Sequence, residues 1–148
     1  MKRPIAGLLC GALLLAGGAR ADTPETQARN LERFTPYLQE PVEQFKFWWM
    51  YKWQLVGPDK VVVWTTPNDA YLLTVETPCT QLQWSGNLAV TSQASHTVMR
   101  RMDAVLADDD RCRIAEIRPV DYRRMESARR GGDRGSAGES GDAADAKR

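Results

Sequence analysis

Between Phe45 and Leu55 the chain alternates. Phe45, Phe47, Trp49, Tyr51, Trp53 and Leu55 occupy one phase, and Lys46, Trp48, Met50, Lys52 and Gln54 the other. Successive side chains of a strand point to opposite faces, so period two predicts one long strand here, straight or bent, with a wholly apolar face. Its aromatic content suits a pleated surface. Gly57-Pro58-Asp59-Lys60 is turn chemistry, and the β-branched run Val61–Thr66, with Trp64 inside it, predicts a second strand. Pro67-Asn68-Asp69 marks another turn before a third strand over Tyr71–Glu76. Tight connections of this kind make an antiparallel meander. Val61–Thr66 and Tyr71–Val75 are apolar in both phases, so they are expected to be central, or covered on the outer side by a helix.

That helix is expected upstream, over about 24–38. Thr23 is an N-cap candidate, Pro24 suits the first helical position and Glu25 the first turn. Ala28, Leu31 and Phe34 recur every third residue and should share the buried face. Pro36 ends or kinks the helix, and Pro41 opens an extended segment. Downstream of Pro78-Cys79 the pattern weakens, and Leu82, Trp84, Leu88 and Val90 predict only a helical turn or irregular crossing. Thr97–Ala107 reads as one or two short strands, Asp108-Asp109-Asp110 as a polar turn, and Arg111–Val120 as the last strand, with Pro119 at its edge or end. The fold class is therefore mainly β: a small antiparallel meander curled into a barrel or roll, with an N-terminal helix across one side.

The two ends differ in kind from this middle. Met1-Lys2-Arg3 is followed by an apolar run from Ile5 to Ala16 and by Ala19-Arg20-Ala21. This is the three-part form of a secretory signal peptide, and the apolar run is well short of the about 20 residues a spanning helix needs. Cleavage is expected after Ala21, leaving a mature chain that begins at Asp22 with no transmembrane segment. Leu8 and Leu9 precede Cys10 and much of the apolar run follows it, so the placement is wrong for a lipid-modified cysteine, and Cys10 leaves with the leader. At the other end, 127–148 contains no apolar residue larger than Ala and is expected to be a disordered tail after a single domain over 22–126.

Export changes the charge and the cysteine chemistry. Loss of Lys2, Arg3 and Arg20 leaves 17 basic residues against 19 acidic ones, too near balance to indicate nucleic acid or membrane as a partner. Cys79 and Cys112 remain, an even count in an oxidising compartment, 33 positions apart rather than in a Cys-x-x-Cys redox spacing. A disulfide closing that loop stabilises the fold by about 3–4 kcal/mol in the chain-entropy model. It would tie the exit of the third strand to the start of the last. The compartment expected is the periplasm, with onward secretion across the outer membrane as the alternative.

Several segments in combination are distinctive: Glu40-Pro41-Val42, Leu55-Val56-Gly57, Val61-Val62-Val63-Trp64-Thr65, Ala70-Tyr71-Leu72-Leu73 and Pro78-Cys79. Arg111-Cys112-Arg113-Ile114 and Ile117-Arg118-Pro119-Val120-Asp121-Tyr122 complete the set. Over about 30–122 the chain resembles a family of small exported proteobacterial proteins catalogued as a domain of unknown function. The resemblance implies a proteobacterial source, a shared small fold and the same cysteine pair, and it implies no activity.

Candidate chemistry is sparse. His96 is the sole histidine. With the cysteines bridged, no set of ligands at metal-binding spacing exists, and no cofactor is expected. Ser92, Ser95 and Thr97 lie near His96, but no Gly-x-Ser-x-Gly elbow supports a hydroxyl nucleophile, and His96 reads as a surface or loop residue. Asp108–Asp110 are adjacent and followed by Arg111, unlike the spaced oxygens of a calcium loop. Among the tryptophans, Trp49, Trp53 and Trp64 are expected in the core. Trp48, between Lys46 and Lys52, either packs under the helix, as favoured, or stacks on a ligand. Arg123, Arg124, Arg129, Arg130 and Arg134 are interrupted by acids and read as part of a solubilising tail. The expectation is a non-catalytic structural, binding or accessory domain, not an enzyme. The alternatives are a module binding an envelope glycan, lipid or peptide through Trp48, Lys46 and Lys52, and a small hydrolase using His96.

Overall fold

The structure is a computed structural model and describes residues 22–138. The leader expected over 1–21, with Cys10 and the cut after Ala21, lies outside the described residues, as do residues 139–148 of the tail. Helix α1 (Pro24–Phe34) begins where its cap residues place it: the Thr23 hydroxyl accepts from the Thr26 N–H, and Pro24 opens the first turn. A 3-10 turn over Thr35–Tyr37 ends the segment at Leu38. The buried face differs from the spacing-of-three expectation. Gln27, Leu31 and Phe34 turn inward and Ala28 faces solvent. The Gln27 Nε2 donates to the Asp22 carbonyl at 3.0 Å, while its Oε1 is buried with no hydrogen-bond partner among the described residues.

Eight strands follow. They are β1 (Gln44–Lys46), β2 (Lys52–Gly57), β3 (Lys60–Trp64), β4 (Ala70–Val75), β5 (Leu88–Val90), β6 (Thr97–Met99), β7 (Ala104–Ala107) and β8 (Asp110–Val120). Six form one antiparallel sheet, in the order β2-β3-β4-β8-β7-β5, curled into a half-barrel. β1 and β6 form a separate two-stranded ladder. The curl has local causes: register slips at Leu55/Gly57 in β2–β3 and at Thr74/Val75 in β4–β8. Such bulges bend a strand and tighten its twist. Long β8 has a shared second edge. β7 pairs with residues 110–113, and the chain at 37–42 closes the remainder, with Gln39 and Val42 donating to the carbonyls of Pro119 and Ile117 at 2.9 Å. β5 is a strand that the weak pattern around Leu88 did not predict.

The doubly apolar strands β3 and β4 are central and also covered. Val61, Val63, Leu73 and Val75 point into the concave core with Leu55, Ile114 and Ile117. Val62, Trp64, Leu72 and Ala70 point the other way, onto Phe34, Leu31 and Tyr122 from the helices. Each fully buried aliphatic side chain contributes roughly 1.5–3 kcal/mol, which explains why this middle tolerates no polar phase. The Cys79–Cys112 disulfide joins the segment leaving β4 to β8, with Cα atoms 5.7 Å apart.

The expectation of one long strand is corrected. The strand predicted over 45–55 is two strands in two different sheets, with a bend at Trp48 between them. Backbone pairing passes from β6 to β3 in the middle of the alternating run, so the apolar phase is not continuous. At the C-terminus, helix α2 (Tyr122–Gly138) runs from the end of β8 into the tail. Tyr122 and Met125 anchor its first turn against the Trp64 cluster. Among the described residues no helix is long and apolar enough to cross a membrane.

Candidate functional site

The break between β1 and β2 leaves a run of exposed aromatic side chains. The Phe47 N–H donates to the His96 carbonyl at 2.8 Å and the Tyr51 N–H to the Trp64 carbonyl at 2.8 Å, so both ends of the segment are anchored. Phe47 is buried and Met50 half-buried between those anchors. Trp48 and Trp49 are each 66% exposed and Tyr51 is 55% exposed. The placement of Trp49 in the core and the packing of Trp48 beneath the helix are thus both overturned. The physical reason is the bend, which takes residues 48–51 off the sheet before alternation can bury them.

His96 meets this loop. Its ring stacks on Trp48 with centroids 4.0 Å apart and planes 17° from parallel. His96 is exposed and sits with Ser95 at the tip of the turn closed by the Thr97 N–H to Ala94 carbonyl bond at 2.7 Å. Both tip residues are left-handed, Ser95 at φ 31° and His96 at φ 57°. Neither is glycine, and such positions cost of order 1–3 kcal/mol each. The hydroxyls near His96 turn to the backbone instead: Ser92 donates to the Thr97 carbonyl at 3.0 Å and Thr97 to the Ser95 carbonyl at 3.4 Å. Lys46 lies beside this turn, because β1 pairs Lys46 with Thr97, and its ammonium donates to the Thr97 hydroxyl at 3.1 Å. Lys52 goes elsewhere. Its ammonium sits 4.3 Å from the Trp64 ring centroid and 5.4 Å from that of Tyr122, on the helix side of the sheet. Of the three residues proposed to flank a ligand, the structure brings Trp48 and Lys46 to one turn and places Lys52 over a different ring.

The turn that carries His96 is held by a residue sequence reasoning missed. Asp103 is fully buried. Its carboxylate accepts from the Thr91 hydroxyl (2.8 Å), the Gln93 N–H (3.1 Å) and the Met99 N–H (2.9 Å). Three donors on one buried carboxylate satisfy a charge that would otherwise be costly to bury, and they tie both flanks of the 91–103 hairpin together. Asp103-Ala104 has no motif to mark it; only a lone acid just before a short apolar strand signals it.

The remaining candidates have structural partners. Asp110 accepts from the Gln81 N–H at 2.9 Å and the Thr80 hydroxyl at 3.0 Å. These bonds hold its carboxyl below the usual carboxylate range, the backbone bond contributing most. Cys79, Asp110 and Cys112 lie close enough to share an ion, but the two sulfurs are bonded to each other and offer no thiolate. Arg123, Arg124, Arg129 and Arg130 are exposed along α2, with Arg129 on Glu126 at 3.0 Å, and Arg134 falls further along the same helix. Trp84, in the turn before β5, is also exposed.

Fold and site together define a small, disulfide-tied, mainly-β domain with an exposed aromatic loop braced by a strained turn. The chain belongs to the Family of unknown function (DUF6491), whose model matches residues 1–134. No curated protein and no solved structure matches it.

Proposed function

We propose that this protein is an exported, non-catalytic binding domain of the bacterial envelope, and that the loop over 47–51 stacks on a glycan. The observation that carries this reading is the exposure of Trp48 and Trp49, each about two-thirds exposed. Large apolar side chains left outside are the informative exceptions on a soluble surface. A pyranose ring offers a flat C–H face to an aromatic plane and hydroxyls to polar neighbours. Lys46 reaches the same turn whose His96 ring stacks on Trp48, and both side chains offer polar atoms to those hydroxyls. The strain at Ser95 and His96 supports a functional role for the turn, since strained backbone clusters at binding sites. His96 lends its ring face to Trp48, which supports a binding role over general-base chemistry. The leader over 1–21 and the disulfide support an oxidising destination, the periplasm first.

Two experiments test the parts separately. Export predicts a periplasmic protein whose intact mass begins at Asp22 and whose cysteines alkylate only after reduction; a chain retaining Met1 contradicts it. Glycan stacking predicts that chitotriose or cellotriose binds the purified mature protein in calorimetry. Trp48→Ala should then weaken binding by about tenfold, the scale of one lost stacking contact. Equal affinity in wild type and Trp48→Ala, or no heat with either sugar, overturns the reading.

A further inference from the structure

A second surface lies away from the aromatic loop and has different chemistry. Along β8 the order Arg111-Cys112-Arg113-Ile114 alternates, with Cys112 and Ile114 buried and the two arginines exposed. Period two puts both guanidinium groups on one face. Across the ladder, Arg113 is opposite Ala104, a side chain too small to cover it. A third arginine arrives from the turn between β6 and β7. Arg101 is left-handed at φ 66°, and its N–H donates to the Ile114 carbonyl at 2.7 Å, which seats the turn directly on β8. The segment leaving β4 closes the other side, the Glu76 N–H donating to the Arg113 carbonyl at 2.8 Å. These elements enclose a cleft of about 390 Å³ lined by Glu76, Pro78, Arg101, Met102, Arg111 and Arg113.

The charge of the cleft is unbalanced. Among the described residues Glu76 is the one acid lining it, 3.9 Å from Arg113 in a solvent-exposed pair, and exposed pairs of this kind contribute little. Arg101 and Arg111 make no ion pair among the described residues. Three cations against one carboxylate leave two positive charges, which match a dianion better than a single carboxylate. The guanidinium fork fits phosphate oxygens in pairs. The frame is also rigid where it matters, because Cys112, between the two β8 arginines, is bonded to Cys79. A frame already ordered loses less freedom on binding. We propose that this cleft binds the phosphate group of a phosphorylated ligand through Arg101, Arg111 and Arg113. The site is independent of the aromatic loop, and either can fail without the other.

The test uses the full mature chain and inorganic phosphate or pyrophosphate at constant ionic strength, followed by the arginine Nε–H resonances. Arg101, Arg111 and Arg113 should shift along one saturating curve. Arg111→Gln should weaken binding by about tenfold, the scale of a lost charge-assisted bond. Glu76→Gln should tighten it, an effect no loss of folding can imitate. A free phosphate source is indicated if soluble phosphate alone saturates the site. A lipid headgroup source is indicated if phosphatidylglycerol vesicles, and not phosphatidylcholine vesicles, sediment the protein and free phosphate competes. Shifts that rise linearly without saturation, equal shifts at Arg123 and Arg129, or unchanged affinity in Glu76→Gln overturn the proposal.

Discussion

Strands β3 and β4 and the loop over 47–51 are equally rich in large apolar side chains, yet one region buries nearly all of them and the other exposes three aromatics. The difference is in backbone partners. β3 is paired on both edges, to β2 and β4, and β4 to β3 and β8, so every apolar side chain is held over one core or the other. The loop has one anchor at each end, at Phe47 and Tyr51, and none between among the described backbone bonds. Apolar composition sets how much surface is available to bury. Pairing on two edges decides whether it is buried. An aromatic run that loses its ladder in mid-course becomes a surface, and here a second element, the Ser95-His96 turn, is strained into place against it.

The sharpest way to break this contrast is to truncate one large apolar side chain in each region. Leu73→Ala empties a fully buried position and should destabilise the fold by about 3–4 kcal/mol in urea unfolding. Next in size is the brace under the turn. Asp103→Asn keeps the shape but turns an amide NH₂ toward backbone donors, and should cost about 2–3 kcal/mol by the same measurement. Smaller and pH-dependent is Asp110. Its folded-state carboxyl titrates below its unfolded value, so its stabilisation is present above the unfolded pKa and lost as pH falls through the folded one. The stability gap between wild type and Asp110→Asn should therefore be open at pH 7 and close on acidification below the ordinary aspartate range. The smallest effect belongs to the loop: Trp49→Ala should change stability by less than about 0.5 kcal/mol despite removing a larger side chain than Leu73→Ala. A large loss at Trp49 would erase the distinction between the two regions.

Much of the frame is legible in the residues because it rests on local rules. Thr23-Pro24 caps α1, Gly57–Lys60 and Pro67–Asp69 turn the chain, and the double apolar phase of β3 and β4 requires cover on both sides. The cysteine pair is readable from count and spacing. What period two cannot convey is which strand each stretch will pair with. Phe45 and Leu55 share a phase, but Phe45 pairs with Val98 and Leu55 with Val61. The exit of the loop, and so the exposure of Trp48 and Trp49, follows from that change of partner and not from any residue in it. Lys52 shows the same limit: it neighbours Trp48 in the pattern but lies over Trp64 in space. Asp103 and the Arg101–Arg111–Arg113 cleft were illegible for a related reason, since their partners come from across the β6–β7 turn and the β7–β8 ladder.

The central claim is that the loop over 47–51 is an open recognition surface while Trp64, on the paired strand β3, is core. It is tested most directly by the indole N–H resonances of the mature protein during titration with chitotriose. Trp48 and Trp49 should shift along a common saturating curve, with Trp64, sealed under α1 and α2, unmoved. Silence at Trp48 and Trp49, or a shift confined to Trp64, would contradict the account.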